Sequence, residues 1–92
     1  MFITIHDGVR WVQGRMNRIA GETCEIEASG RLEGQPFGSN AVLLLDAVDE
    51  REQNAVSARA CLVRAFQREG TWRFVCRIDP DQARALEQVL TA

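Results

Sequence analysis

Residues 71–82 read TWRFVCRIDPDQ, and the first eight positions alternate between an apolar face and a face that carries two arginines. Alternation with a period of two is typical of an antiparallel strand with one buried and one wet face. Asp79 can cap the free N–H groups of a helix start, and Pro80 suits the first helical position. We therefore predict a strand that ends at Ile78 and a helix that follows it. The side chains predicted to face the core are Trp72, Phe74, Cys76 and Ile78 from the strand, and Leu86, Val89 and Leu90 from the helix.

Upstream of this strand, short β-prone segments alternate with turns. Two of them flank Asp7-Gly8, a pair that favours a hairpin with a tight two-residue turn. Three glycines and a proline fall within residues 30–40, which predicts the main loop of the chain there. Residues 46–54 are predicted to be a charged surface connection. The pattern in residues 15–21 does not distinguish between secondary-structure types. The further predicted strands are 2–6, 9–13, 23–27, 41–45 and 55–66, with a bulge or bend at Gly14.

The strand predicted over residues 55–66 is the longest in the chain. Strict alternation assigns its residues to two faces. The first face is predicted to carry Val56, Ala58, Ala60, Leu62, Arg64 and Phe66, and the second Ser57, Arg59, Cys61, Val63 and Ala65.

Length and composition indicate one globular domain, residues 1–92. A chain of 92 residues buries roughly 60–70% of its extended surface and cannot divide its core between two domains. A hydrophobic content of 46% argues against disorder. Several strands followed by one helix predict a mainly β fold, a small antiparallel barrel or sandwich with a helical lid. The net charge of -2 argues against general binding to phosphate backbones.

Residues with the chemistry for catalysis or metal binding are few. His6 is the single histidine, and Cys24, Cys61 and Cys76 show no C-x-x-C spacing. We therefore expect no metal site, no cofactor, no disulfide framework and no enzymatic activity. The longest apolar run, 41–45, is too short to span a bilayer, and the first residues lack the features of a signal peptide. A cytoplasmic location with reduced thiols is the expectation.

Arginine and tryptophan are the residue types that suggest binding. Arg10, Arg15 and Arg18 lie close together in the sequence and have the chemistry to bind phosphate through charge-assisted hydrogen bonds. A solvent-facing set that pairs with neighbouring glutamates fits the same pattern. Trp11 and Trp72 are suited to stacking on a base, but their alternating positions favour the core for both.

Taken together, these segments resemble a divergent PilZ domain from about Val12 to Leu90. The points of likeness are the arginine-bearing segment, CEIEASG at 24–30, PFG at 36–38 before VLLL at 42–45, the long strand, the alternating strand and the closing helix. The resemblance implies a six-stranded antiparallel barrel with a C-terminal α-helix. It also implies a bacterial signalling role, since many PilZ domains bind cyclic di-GMP.

The PilZ ligand motif is Arg-x-x-x-Arg followed by Asp/Asn-x-Ser-x-x-Gly. Here RMNR at 15–18 is one residue short, and EASGRL at 27–32 has Glu for Asp and Leu for Gly. The positions that carry over as ligand-binding candidates are Arg15, Arg18 and Ser29. On a regular strand, a separation of three places Arg15 and Arg18 on opposite faces. We therefore expect cyclic di-GMP to bind weakly or not at all.

The resulting functional hypothesis is a non-catalytic regulatory or adaptor domain that acts through a protein partner. It corresponds to PilZ proteins that do not bind cyclic di-GMP. One alternative is a cyclic di-GMP sensor that uses Arg15 and Arg18. Another is a small nucleic-acid-binding barrel that uses Arg73, Val75 and Arg77 on an exposed sheet face. A homodimer is also expected, because a barrel this small leaves an edge or an apolar patch to cover.

Overall fold

The computed structural model describes residues 2–49, 51 and 54–91. These residues form six strands and one helix, with the loops that connect them. Each predicted strand is found, and the second to the fifth end further along the chain than predicted. In chain order the elements are β1 (Phe2–His6), β2 (Trp11–Ala20), β3 (Thr23–Ala28), β4 (Val42–Val48), β5 (Ala55–Arg68), β6 (Thr71–Ile78) and α1 (Pro80–Thr91).

The strands close into a barrel in the order β1-β2-β3-β6-β5-β4, and all neighbouring pairs are antiparallel. Strands β1 to β3 form one three-stranded meander, and β4 to β6 form a second. Two pairings between residues far apart in the sequence join the meanders, β1 with β4 and β3 with β6. This arrangement confirms the predicted fold class, a mainly β chain with a small antiparallel six-stranded barrel and a C-terminal helix.

Alternate residues of each strand fill the interior of the barrel. All four inward side chains predicted for β6 lie in or against the core, where Phe74 is fully buried and Trp72 is half-buried. The connection from β3 to β4, residues 29–41, is the predicted loop. It inserts Phe37 into the core, with its ring edge-on to Phe74 at a centroid distance of 5.7 Å. Phe37 is therefore a core residue that a loop, and not a strand or the helix, contributes.

The helix begins as the sequence predicts. Asp79 Oδ1 accepts a hydrogen bond from the Asp81 N–H at 3.0 Å, which satisfies one of the free donors at the helix start. The predicted Leu90 side chain lies outside the described part of the structure. The helix residues that are buried in the core are Ala83, Leu86 and Val89.

Helix α1 also covers a free edge of β5. Strand β6 ends at Ile78, opposite Ala60, so residues 55–59 pair with β4 on one side only. The helix packs on this part of the barrel, and Gln82 Oε1 accepts the Arg59 N–H at 2.9 Å. An exposed strand edge is a template for unwanted pairing. Gln82 thus replaces one of the missing ladder hydrogen bonds.

Two predicted connections differ from the structure. The hairpin between β1 and β2 has a four-residue loop, Asp7 to Arg10, rather than a two-residue turn. Asp7 Oδ1 accepts the N–H groups of Val9 and Arg10, each at 2.8 Å, and these bonds hold the pKa of Asp7 below its ordinary value. The side chain thus organises a longer loop than the Asp-Gly pair predicts. Residues 46–48 belong to β4 and not to a surface connection, and Ala47 is fully buried.

Two β-bulges interrupt the alternation of the barrel strands. In β2 the register with β3 shifts between Met16 and Arg18, which leaves Asn17 as the extra residue. In β5 the register with β6 shifts between Leu62 and Arg64, at Val63. A bulge adds one residue to a strand and reverses the faces of those that follow. The prediction that Arg64 and Phe66 share a face with Leu62 is therefore wrong, since Leu62 is buried and the other two lie on the outer face. Ala65, predicted on the other face, packs against the core.

Gly14 does not form the predicted bulge. It pairs in register with Ile3 on β1 and Ala28 on β3, within the regular ladder. A side chain at this position would overlap the backbone carbonyl oxygen of Glu27. Glycine is required here because the two backbones approach closely, not because the strand bends.

Candidate functional site

The three ligand-binding candidates from the sequence lie on the outside of the β2–β3 hairpin. Arg15 is opposite Glu27 and Arg18 is opposite Glu25, so the bulge at Asn17 turns both arginines to the outer face. The predicted placement of these arginines on opposite faces is therefore wrong. Ser29 follows β3, is exposed, and donates its N–H to the Gln13 carbonyl at 2.8 Å.

Carboxylates lie within this candidate ligand site. Glu27 is directly opposite Arg15 and accepts a hydrogen bond from Asn17 Nδ2 at 3.2 Å. Glu25 is opposite Arg18, and its Oε1 lies 4.0 Å from Arg73 Nη1. An anion at Arg15 and Arg18 would meet two negative charges as well as two positive ones, which lowers its affinity.

A second surface, the apolar strip, consists of Val42, Leu44, His6 and Trp11. The side chains are neighbours on the outer face because His6 pairs with Leu44 on one side and Trp11 on the other, and Val42 is two residues from Leu44. Trp11 is 63% exposed, so its predicted place in the core is wrong. Val42 and Leu44 are exposed as well, at 61% and 42%.

A chain of contacts holds the Trp11 ring in place. The His6 ring stacks on it with centroids 4.1 Å apart and planes inclined by 16°. His6 Nε2 lies 3.4 Å from Asp46 Oδ2, and the other carboxylate oxygen of Asp46 accepts a hydrogen bond from Ser57 Oγ at 2.6 Å. Trp11 is thus an exposed aromatic ring whose orientation is fixed by contacts that extend across four strands.

A third surface, the arginine hairpin, is the outer face of β5 and β6. These two strands contain five arginines and no aspartate or glutamate, although the whole chain has 13 acidic residues. Sequence reasoning identified two of the five and missed the others. The absence of acidic residues over both strands is the signal that would have found them. The five residues are Arg59, Arg64, Arg68, Arg73 and Arg77.

The cysteine and histidine side chains do not assemble into a reactive group. Cys24 and Cys76 face each other across β3 and β6 in the core, while His6 is on the outer surface. The hydrogen bond with Cys24 and burial both raise the pKa of the Cys76 thiol far above its ordinary value. A thiol in this state is a poor nucleophile and a poor metal ligand. Among the described residues, no group of three or more histidine, cysteine or acidic side chains is placed to hold a metal ion.

The described helix is too short and too polar to cross a membrane. The three surfaces described above all lie on the outer face of one small barrel. Their geometry gives no family by itself, because one small barrel fold supports many functions. Comparisons of the chain with protein-family models, with curated proteins and with solved structures found no match.

Proposed function

We propose that this chain is a non-catalytic regulatory or adaptor domain that binds another protein through the apolar strip. In this respect it resembles PilZ domains that act without cyclic di-GMP. The observation that carries the proposal is the exposed Trp11 ring, held by its stack on His6. The partner would offer an apolar surface that covers Trp11, Leu44 and Val42.

Two physical arguments support this use of Trp11. Tryptophan is enriched among the few interface residues that supply most of the binding energy, because its ring buries a large apolar area. Its contact with His6, and the contact of His6 with Asp46, fix the ring before binding. A side chain that is already ordered loses little conformational entropy when a partner binds.

Removing the ring should therefore weaken the partner complex. We expect Trp11→Ala to cost about 2 kcal/mol or more, which is roughly 30-fold in affinity. Proteins captured from the native host by the wild-type and variant chains would be compared quantitatively, and the protein that is depleted with the variant would be purified and titrated by calorimetry. Phe2→Ala is the matched control, since Phe2 is another exposed aromatic residue, at 56%, and is not part of the strip.

Equal affinity of the wild-type and Trp11→Ala chains for the purified partner would contradict the proposal. Sedimentation provides a second test of the expected homodimer. A stable dimer that Trp11→Ala dissociates would show that a second copy of this chain occupies the strip. The strip would then serve self-association, and the adaptor role would have to be sought on another surface.

A cyclic di-GMP sensor is the second candidate function. The observation that favours it is the bulge at Asn17, which brings Arg15 and Arg18 to one face of the hairpin. Glu27 argues against a sensor function, because its carboxylate is beside Arg15, where the ligand phosphates would bind. Leu32 stands where the motif has a glycine, at the closest approach of the backbone to the ligand.

We expect titration calorimetry with cyclic di-GMP to give a dissociation constant above about 10 μM. The physical reason is the repulsion between Glu27 and the phosphates, so Glu27→Gln should bind more tightly than the wild-type chain. A dissociation constant below about 10 μM that is abolished by Arg15→Ala would make the sensor the leading function. Arg84→Ala is the control, because it removes an exposed arginine of α1, outside the candidate site.

A further inference from the structure

We propose that the arginine hairpin binds single-stranded nucleic acid. This inference goes beyond the proposed adaptor role and concerns a different surface of the barrel. Its first support is the distribution of charge. Strands β5 and β6 carry five arginines without a single acidic residue, in a chain with a net charge of -2. The positive charge is thus concentrated on one face, where a phosphate backbone would be attracted locally.

The bulge at Val63 adds to this concentration. With strict alternation Arg64 would point into the core, but the register shift places it opposite Val75 on the outer face. The same register places Arg73 opposite Phe66, and Arg77 opposite Cys61. On the outer face of the hairpin, each cross-strand pair therefore consists of one arginine and one uncharged residue. Arginines and uncharged side chains alternate along both strands.

Phe66 supplies a surface for base stacking. Its ring is half-buried, and the guanidinium carbon of Arg64 lies 4.5 Å from the ring centroid. Bases stack on aromatic rings and on the planes of guanidinium groups. The Arg64–Phe66 pair thus offers a stacking platform next to phosphate-binding cations.

This combination favours a single strand over other polyanions. An acidic peptide would use the arginines but would have no aromatic bases to place on the platform. A duplex keeps its bases stacked inside and would make only phosphate contacts. An unpaired strand is the polyanion that uses both the charges and the platform, without dependence on sequence.

Three carboxylates lie beside the hairpin: Glu69 in its turn, and Glu25 and Glu27 on the neighbouring strand β3. The five arginines outnumber them. Among the described residues, Glu25 forms an ion pair with this face, since its Oε1 lies 4.0 Å from Arg73 Nη1. Four of the five arginines, including Arg64 and Arg77, are exposed. Arg59, Arg68 and Arg77 can therefore reach phosphates without rearrangement of the barrel, while Arg64 forms the platform with Phe66.

The test is fluorescence anisotropy with a labelled oligouridine of about 12 nucleotides, a length within the range that one small barrel covers. We expect saturable binding that weakens as salt increases. The double variant Arg64→Glu with Arg77→Glu should bind at least tenfold more weakly. Its slope of log K against log salt should be less steep by about 0.7, because the phosphate contact of Arg77 is lost.

Arg31→Glu with Arg84→Glu is the matched control, because it changes the net charge by the same amount at exposed positions outside the hairpin. It should bind the oligonucleotide with nearly wild-type affinity. Phe66→Leu, which keeps an apolar side chain, should weaken binding several-fold and leave the salt slope unchanged. Circular dichroism and thermal unfolding would verify that each variant folds.

Three outcomes would overturn the proposal. One is the absence of saturable binding by the wild-type chain at low salt. Another is an equal loss in the two double variants, which would reflect net charge alone. The third is equal affinity for a duplex of the same length, or for an acidic peptide, since neither can use the Arg64–Phe66 platform. Trp11→Ala should leave oligonucleotide binding unchanged, so that this test and the adaptor test fail independently.

Discussion

Replacing Phe74 by alanine is expected to lower the free energy of unfolding by about 3–5 kcal/mol. Phe74 is fully buried on β6 and contacts both Phe37 and Trp72, with ring centroids 5.7 and 6.4 Å away. Removal of its ring loses apolar burial and leaves a cavity between rings that come from different parts of the chain. A domain of this size has a total stability of about 5–15 kcal/mol, so the expected loss is a large fraction of it.

Urea denaturation followed by tryptophan fluorescence would measure this loss. Phe2→Ala is the control, because it removes the same ring from a position that is 56% exposed, and we expect it to change the stability by less than about 1 kcal/mol. A loss of less than about 1 kcal/mol for Phe74→Ala as well would show that the assigned inward face of β6 is wrong.

Replacing Gly14 by alanine is expected to cost about 3 kcal/mol, at the upper end of the range for inserting an extra group into a packed site. The added Cβ would overlap the Glu27 carbonyl oxygen and would also press on the Ile26 side chain. Because the obstacle is backbone, it cannot be relieved by a change of rotamer. Either β2 and β3 separate at this point or the ladder shifts.

Gly38→Ala is the matched control for Gly14→Ala. A Cβ at Gly38 would meet no atom within 4 Å, and neither glycine has a positive φ. Alanine at such a position commonly stabilises a protein by about 0.4–1 kcal/mol, because it restricts the unfolded chain. Opposite effects of the two substitutions in chemical denaturation would confirm the close approach at Gly14. Equal, small effects would mean that the two strands have room for a side chain there.

The sequence pattern predicts the barrel well where burial alone determines side-chain direction. In β6 each inward residue is apolar, and the period of two leads directly to the buried positions of Phe74 and Ile78. The start of α1 is equally clear, because Asp79 and Pro80 have fixed roles at a helix terminus. The loop with Pro36 follows from its glycine content, although nothing in the pattern indicates that Phe37 is buried.

The bulges at Asn17 and Val63 are the features that the pattern fails to predict. Neither residue is a glycine, and neither segment shows a break in composition. A bulge depends on the register with the neighbouring strand, which is a property of the whole sheet. Because each bulge exchanges the two faces, the predicted separation of Arg15 from Arg18 and the predicted grouping of Arg64 with Leu62 are both wrong.

The candidate surfaces were also predicted only in part. The outward positions of Arg73 and Arg77 were predicted, because both lie in the regular part of β6. The exposure of Trp11 was not predicted. Alternation predicts that a strand has two faces, but it does not show which of the two is buried. The stack with His6 joins residues from two strands, and its existence depends on the hairpin register.

The division of the barrel into two meanders has a consequence for how the chain folds. The hairpins within each meander need only short loops, whereas β1 must find β4 and β3 must find β6 across long stretches of sequence. Loop closure over such distances costs entropy before the contacts repay it, and folding of such topologies takes roughly milliseconds to seconds. Until β1 pairs with β4 and β3 pairs with β6, strands β1 and β4 have unpaired edges, and Leu43 and Leu45 are exposed. Refolding at high dilution would favour closure of the barrel, while crowded nascent chains would be drawn into intermolecular strand pairing.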